Sequence, residues 1–169
     1  TLRGPFFFPI DLWLNLMTHV SMRPFRPGDQ KAVRALILAG LSEHFERLEP
    51  SLNPDLEDIQ GSYLSKGDCF LVAEYGNALL GTGALIRESA NTGRIVRMSV
   101  AAGWRRQGIA YLLVQELLTS AQRSGFSNIL VETNDDWHGA IQLYQSCGFQ
   151  PYDHRSGEIH MQRELSAIN

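Results

Sequence analysis

The chain reads Val100-Ala-Ala-Gly-Trp-Arg-Arg-Gln-Gly-Ile-Ala110 where a predicted strand gives way to a predicted helix. The first-turn N–H groups of such a helix have no partners within the helix, and the helix dipole adds partial positive charge there. Gly108 lets a ligand approach the backbone closely, and Ala110 keeps the next turn clear. Arg105 and Arg106 offer forked hydrogen bonds to phosphate oxygens. We interpret the stretch as a pyrophosphate site; the alternative is an ordinary strand-to-helix corner with solvated arginines.

The elements on either side of this stretch alternate between helical and extended patterns. The predicted order is a strand at 22–26, two helices between 29 and 67, three strands at 69–75, 78–88 and 94–101, a helix at 108–124, a strand at 127–133, a helix at 138–147, and two strands at 149–155 and 158–165. Apolar residues recur at helical spacing in the helices, and Gly76-Asn77 is typical of a hairpin turn. We therefore expect a mixed α/β sheet with one crossover in its middle.

The composition limits the function classes that need to be considered. The chain has 169 residues, of which 44% are hydrophobic, which suits one domain with a real core. A net charge of −3 is unlike the basic face of a nucleic-acid-binding domain, so no nucleic-acid partner is expected. Two cysteines, Cys69 and Cys147, cannot build a disulfide framework. They indicate free thiols in a reducing compartment and predict a cytoplasmic location. No metal site is predicted.

Residues 1–21 form an apolar arm before the domain, which we place at 22–169. A membrane-spanning helix needs about 20 mostly apolar residues. Here the apolar run is interrupted by Pro9, Asp11, Asn15 and His19. Apolar residues also recur at helical spacing, at Leu12, Trp13, Leu16 and Val20. We expect them to cover the domain or a second copy of the chain, as in a homodimer; contact with a membrane surface is the alternative.

Two spaced motifs give the chain a family resemblance. Arg105-x-x-Gly108-x-Ala110 after a strand resembles the acyl-CoA pyrophosphate loop of the GNAT superfamily of N-acetyltransferases. Ala140-Ile-Gln-Leu-Tyr-Gln-Ser-Cys-Gly-Phe149 resembles the family's Ala-x-x-Leu-Tyr-x-x-x-Gly-Phe signature. The likeness covers about residues 22–165, including the order of the elements. It implies the GNAT acyl-CoA N-acyltransferase fold, an α/β (α+β) domain whose mixed, mostly antiparallel sheet of about seven strands is flanked by about four helices.

The resemblance also implies an activity. GNAT enzymes move the acetyl group of acetyl-CoA to a primary amine by direct attack on the thioester, so acetyl-CoA is the expected cofactor. The amine, on a small molecule or a peptide, is not named by the sequence. The alternative is a non-catalytic acyl-CoA-binding or regulatory module.

The family likeness also assigns site residues. The strand before the phosphate loop holds the pantetheine arm in this family, which maps onto Met98, Ser99 and Val100. The implied cofactor-binding residues are Met98, Ser99, Val100, Arg105, Arg106, Gln107, Gly108, Ile109, Ala110 and Tyr144. Tyr144 stands where the family has a tyrosine near the CoA sulfur, which implies a catalytic proton donor. A phenol with a reference pKa near 10 suits that role; the alternative is that Tyr144 only packs or orients the cofactor.

The resemblance does not fix the general base. Many family members carry a glutamate on the strand that holds Met98, and this chain has none there. Glu132, on the expected parallel partner strand, is the catalytic candidate that we assign. Glu43, His44 and His138 are the alternatives.

Overall fold

Seven strands form one open sheet in the described part of the chain, which comprises residue 14 and the ranges 18–45 and 49–166 of a computed structural model. The strands are β1 (Ser21–Pro24), β2 (Cys69–Tyr75), β3 (Ala78–Arg87), β4 (Thr92–Val100), β5 (Asn128–Asn134), β6 (Gln150–Arg155) and β7 (Glu158–Glu164). They are ordered β1-β2-β3-β4-β5-β7-β6. Neighbours are antiparallel except β4 and β5, which run parallel across the crossover. The predicted mixed, mostly antiparallel sheet is confirmed.

The principal helices are α1 (Gln30–Ser42), α2 (Ile59–Ser62), α3 (Ile109–Arg123) and α4 (His138–Ser146). The expected second helix, ending near Gly67, is broken. A 3-10 turn at Pro54–Leu56 precedes α2, and another at Leu64–Lys66 follows it. Asn53 precedes the first of these turns without a capping hydrogen bond, and its carboxamide oxygen accepts a hydrogen bond from Arg97 Nη1 at 3.0 Å. Asp58 caps α2 through Gly61 N at 2.9 Å.

Each face of the sheet carries its own apolar core, because successive residues of a strand point to opposite faces. On one face α3 buries its apolar side chains against the strands: Ile109, Leu113, Val114, Leu117, Leu118 and Ala121. On the other face α1 and α2 bury Val33, Ile37 and Ile59 together with Leu56. The sheet is therefore the middle layer between two helical layers.

The two parallel strands separate in the middle of the sheet. Their register pairs Thr92 with Asn128, Gly93 with Ile129 and Arg94 with Leu130, and it extends no further. Both strands continue beyond that point, β4 to Val100 and β5 to Asn134. Their carboxyl ends therefore diverge and leave a split in the sheet, beside the start of α3.

The N-terminal arm is described only in part. Leu12, Trp13 and Leu16, which carry the expected apolar face, lie outside the described residues. Val20 is partly buried and packs against the core on the α3 face. No helix within the described ranges is long and apolar enough to cross a membrane. The boundary between the arm and the domain stays a prediction.

Candidate active site

A β-bulge interrupts β4 close to the split. Arg97 has a φ of 56°, in the left-handed region that favours glycine, and the register against β3 shifts between Thr82 and Ala84. The Thr82 hydroxyl donates a hydrogen bond to the Arg97 carbonyl at 2.9 Å. Because β5 no longer pairs with β4 here, the backbone groups of β4 that follow the bulge border the split without a partner strand on that side. Met98, Ser99 and Val100 follow directly.

The Arg97 side chain ties this bulge to the turns before α2. Its Nη2 and Nε atoms donate to the Asp55 carboxylate at 2.6 and 2.9 Å. Tyr63 donates to the same carboxylate at 2.5 Å. Burial raises the pKa of Asp55, but the hydrogen bonds from Arg97 and Tyr63 outweigh that effect and leave the pKa below its ordinary value. Burial and the bond to Asp55 raise the pKa of Tyr63 to about 12.

A cavity of about 410 Å³ opens beside the split, on the face that carries α1 and α2. Its lining comprises Asp55, Tyr63, Ile86, Arg94, Ile95, Val96, Arg97 and Glu132. Two guanidinium groups and two carboxylates therefore surround it. A polar, charged cavity of this kind suits a small cationic or zwitterionic group better than an apolar one.

Glu132 lies on β5, two residues beyond Leu130, the last residue of β5 that pairs with β4. Its side chain lines this cavity. Its carboxylate forms an ion pair with Arg94, whose Nε atom is also 2.5 Å from Glu88. The same Glu132 Oε1 atom lies 3.0 Å from Nδ1 of His160 on β7. Glu132 thus stands at the cavity with a guanidinium and an imidazole beside it.

The start of α3 presents open backbone amides. Gly108 occupies the N-cap position with a φ of 86°, and no side chain caps the first turn. Arg106 also has a positive φ, 62°, so the loop makes a tight turn before the helix. Arg105 and Arg106 are both exposed beside it. Uncapped first-turn amides with two exposed guanidinium groups nearby are the features on which the predicted anion site depends, and the site itself stays a prediction.

The residues that follow α1 contact both this loop and Trp137, which precedes α4. Arg105 binds the carboxylate of Glu43. The centroid of the His44 ring lies 4.1 Å from the centroid of the Trp137 ring. His138 is exposed at the beginning of α4. The alternative bases Glu43, His44 and His138 therefore lie on this side of the molecule, and none of them lines the cavity that holds Glu132.

Tyr144 lies on α4 with 5% of its surface exposed, and its ring contacts that of Phe149 edge-on at 5.7 Å. Burial raises the pKa of its phenol. Tyr144 belongs to the core on the α3 face, whereas Glu132 borders the cavity on the opposite face. The two residues assigned to catalysis therefore lie on opposite sides of the split strands.

Comparison with known families places the chain. The model of the acetyltransferase (GNAT) family matches residues 34–149, which include the loop before α3, the split strands and α4. The chain belongs to the GNAT acetyltransferase family. The resemblance carried by the two sequence motifs is therefore confirmed.

Curated relatives within this family include N-acetyltransferase 8 of Rattus norvegicus, which is 40% identical over 116 residues, covering 65% of this chain and 50% of that protein. N-acetyltransferase 8 of Homo sapiens is 37% identical over 113 residues, covering 62% and 49% respectively. The chain spans about half the length of the curated relatives it matches.

Solved structures show the same GNAT fold. An acetyltransferase of the GNAT family from Staphylococcus aureus Mu50 superimposes with a TM-score of 0.79 at 23% identity, covering 87% of this chain and 99% of that one. The PaiA N-acetyltransferase of Thermoplasma acidophilum, solved in complex with coenzyme A, has a TM-score of 0.75 at 14% identity, covering 86% and 99%. The expected acyltransferase fold is confirmed.

Two residues beside this cavity or beside Glu132, Arg97 and His160, were assigned no role at the site from the sequence. Arg97 could have been suspected, because it occupies a position that strand alternation assigns to the same face as the buried Ile95. A charged residue at such a position indicates either a bulge or a functional site. His160 carries no comparable signal, since only the pairing of β5 with β7 places it opposite Glu132.

Proposed function

We propose that this chain is an N-acetyltransferase, which moves the acetyl group of acetyl-CoA to a primary amine on a small molecule or a peptide. The observation that carries the proposal is the uncapped start of α3 behind Gly108, beside strands that separate in mid-sheet. The N-acetyltransferase names of the relatives support it. So does the acetyl-CoA bound to a GNAT-family acetyltransferase of Elizabethkingia anophelis, with a TM-score of 0.64.

The residues around the split fit acetyl-CoA, which supplies an activated acyl thioester when bound. The first-turn amides at Gly108, Ile109 and Ala110 carry the partial positive charge that a pyrophosphate needs. Arg105, Arg106 and Gln107 stand beside them in the loop. The backbone of Met98, Ser99 and Val100, without a partner strand on the side of β5, offers hydrogen bonds to the amides of a pantetheine arm.

In this proposal Glu132 removes the proton from the attacking amine. Its carboxylate borders the cavity, where it is ion-paired with Arg94. The carboxylates of Glu132 and Asp55 also give the cavity two anionic groups for a cationic amine. An ammonium group cannot attack a carbonyl carbon, so the deprotonation has to precede or accompany transfer.

Tyr144 protonates the departing sulfur in the same scheme. Burial raises the pKa of its phenol, which keeps the proton in place until a strong base develops next to it. The Tyr144 side chain lies in the core on the α3 face, and the cavity proposed for the amine lies on the opposite face. The proton donor, Tyr144, and the proton acceptor, Glu132, are therefore kept on opposite faces of the sheet.

Location and assembly are proposals of the same kind. Both cysteines are free thiols, Cys147 buried and Cys69 partly buried, which supports a reducing compartment such as the cytoplasm. The apolar spacing in residues 1–21 supports a homodimer with the arm in its interface. Light scattering on the full chain and on the chain from Met22 would measure the arm's contribution to the mass.

The activity is tested by measuring CoA release from acetyl-CoA against a broad panel of primary amines. We expect release with at least one amine, and acetyl-CoA binding in calorimetry. The variant Gly108→Glu places a carboxylate at the anion site and should abolish binding. Gly125→Glu is the matched control, because Gly125 also has a positive φ, 76°, but lies just beyond the carboxyl end of α3.

The possible outcomes separate the proposal from its alternative. Binding without CoA release from any amine would contradict the transferase and indicate a binding module. Loss of binding in both glycine variants would mean that backbone strain, rather than the anion site, is responsible.

A further inference from the structure

His160 is a buried histidine whose two ring nitrogens make no hydrogen bond within the described ranges. It lies on β7 directly opposite Glu132 in the β5–β7 ladder and is 4% exposed. Its Nδ1 atom is 3.0 Å from Glu132 Oε1, and its Nε2 atom is 3.9 Å from Glu158 Oε2. Within the described ranges neither ring nitrogen makes a contact with the geometry of a hydrogen bond. Buried polar atoms are nearly always paired, so this ring needs an explanation.

Acidic groups dominate the surroundings of the ring. The charged and titratable groups that face it are Glu132 from β5, Arg94 beyond Glu132 on β4, Tyr152 and Asp153 from β6, and Glu158 from its own strand. The neutral imidazole has one N–H donor, whereas the imidazolium has two. Only the protonated ring can donate towards the carboxylates on both sides. Each ring nitrogen of His160 therefore has a carboxylate within 4 Å.

The two carboxylates differ in what they face. The Glu132 side chain is 36% exposed and borders the cavity proposed for the amine. The Glu158 side chain is 47% exposed, and Glu158 is the first residue of β7, the second strand of the β6–β7 hairpin. The buried ring thus stands between a carboxylate at the cavity and a carboxylate open to solvent.

We propose that His160 is a positioning and relay residue that carries the amine proton from Glu132 to solvent, a role that rests on the proposed acetyl transfer. The ammonium N–H bond breaks as Glu132 takes the proton. In the tautomer that carries its hydrogen on Nε2, a small rotation aligns the ring with Glu132, and the proton passes from the carboxyl group to the lone pair of His160 Nδ1, which restores the carboxylate. The imidazolium releases its Nε2 proton towards Glu158 and the solvent, so one proton leaves for each amine neutralised and the neutral ring is left with its hydrogen on Nδ1. Once the product has left the cavity, Nε2 regains a hydrogen from solvent and Nδ1 loses one by way of Glu132, which restores the tautomer that accepts the next proton. The 3.9 Å gap to Glu158 is spanned by a small side-chain movement or by one water molecule.

The first test needs no substrate. The ring nitrogen signals of histidine-labelled protein are recorded by NMR, with those of His160 assigned from their loss in His160→Gln. Replacing the carboxylate in Glu132→Gln should move the His160 Nδ1 signal, because Glu132 Oε1 lies 3.0 Å from that nitrogen. Glu164→Gln is the matched control, because Glu164 lies on the same strand and pairs with Asn128, away from the ring. An unchanged His160 Nδ1 signal in Glu132→Gln would overturn the relay.

The second test is the pH profile of acetyl transfer, measured with acetyl-CoA and the amine that released CoA fastest from the panel. In His160→Gln, kcat should fall at least about tenfold at neutral pH, while the KM for acetyl-CoA is unchanged. The deficit should close at pH values where the amine is already neutral in solution, because no proton then has to be removed. The exposed His154 supplies the control His154→Gln, which should follow the wild-type profile. A deficit that stays constant with pH would indicate a structural role and overturn the proposal.

The two tests separate this inference from the proposed function. Normal acetyl transfer with no coupling between Glu132 and His160 would contradict the relay alone. A chain that binds acetyl-CoA and transfers nothing would contradict the acetyl transfer, and the relay with it.

Discussion

Arg105 and Glu43 form a bidentate ion pair that joins the loop before α3 to the residue that follows α1. The Nη1–Oε2 distance is 2.5 Å and the Nη2–Oε1 distance is 2.9 Å. The Arg105 Nε atom donates to the carbonyl of Val100 at 3.0 Å. The hydrogen bonds lower the pKa of the Glu43 carboxyl, so it is ionised at neutral pH. The guanidinium proposed to bind phosphate is therefore occupied by a carboxylate of the chain itself.

This ion pair predicts that Glu43 competes with acetyl-CoA for Arg105. The variant Glu43→Gln should bind acetyl-CoA more tightly, by about two- to fivefold, the range typical of an exposed ion pair. The gain should shrink as salt is added, because screening weakens the competing pair in the wild type. Calorimetry at two ionic strengths measures both effects.

Glu57→Gln is the matched control, since Glu57 forms an exposed ion pair with Arg34 and lies apart from the loop. It should leave the dissociation constant unchanged. Weaker binding in Glu43→Gln would show instead that Glu43 positions Arg105 for the phosphate.

Removal of the Tyr144 hydroxyl should slow transfer without weakening cofactor binding. General acid catalysis contributes about 10²- to 10⁴-fold, and a thiolate is a comparatively good leaving group, so we expect Tyr144→Phe to lower kcat about tenfold or more. The KM for acetyl-CoA should stay within about twofold, because the ring that packs on Phe149 is retained. Steady-state CoA release measures both constants.

Tyr111→Phe provides the comparison, as Tyr111 is an exposed tyrosine on α3. It should match the wild type in both constants. Equal kcat in Tyr144→Phe and the wild type would remove the proton-donor role.

Close contact between β3 and β4 predicts a sensitive glycine. A Cβ atom on Gly81 would lie 2.9 Å from the Ser99 carbonyl oxygen and 3.1 Å from Leu113 Cδ1. The backbone oxygen cannot turn away, so Gly81→Ala should lower the free energy of unfolding by about 1–3 kcal/mol. Urea denaturation measures the change.

A matched substitution exists at Gly28, where a Cβ atom would meet nothing within 4 Å and φ is not positive. Gly28→Ala should change the free energy of unfolding by less than about 0.5 kcal/mol. Similar losses in both variants would mean that the Gly81 contact is not tight in solution.

The parts of the site that are continuous in sequence were predictable. Gly108 and its arginines lie within one loop, and local rules for helix starts are sufficient to identify an anion site there. The order of the elements followed from periodicity, and the sheet topology followed from the family resemblance. These features depend on neighbours along the chain or on a known pattern.

The parts that depend on distant residues were not predictable. Arg97 binds Asp55 and Asn53, which lie 42 and 44 positions earlier in the chain. The same contacts lie in the segment where the expected second helix is divided into short turns. His160 faces Glu132 only because β7 pairs with β5 in that register. The charge of Arg97 on an inward-facing strand position hinted at a bulge, but nothing local named Asp55 or Asn53 as its partners or placed His160 beside Glu132.

Asp55 gives the last prediction, which concerns stability and pH. Its carboxylate accepts two hydrogen bonds from Arg97 and one from Tyr63. The variant Asp55→Asn keeps the shape but removes the charge, and it leaves the Arg97 guanidinium partly buried without its counter-ion. Since hydrogen bonds to charged groups contribute about 1.5–3 kcal/mol, we expect the free energy of unfolding to fall by about that amount at pH 7.

The sign of the pH dependence follows from the lowered pKa of Asp55 in the folded chain. The stabilisation is fully present above the unfolded pKa, about 3.9, and is lost as the pH falls through the lower folded pKa. The difference between wild type and Asp55→Asn should therefore be constant at neutral pH and shrink below about pH 4. Asp136→Asn, at an exposed aspartate, should follow the wild-type curve throughout. A difference that persists undiminished in acid would show that the carboxamide in Asp55→Asn destabilises the fold because of its shape. It would also show that the Asp55 charge does not stabilise the bulge.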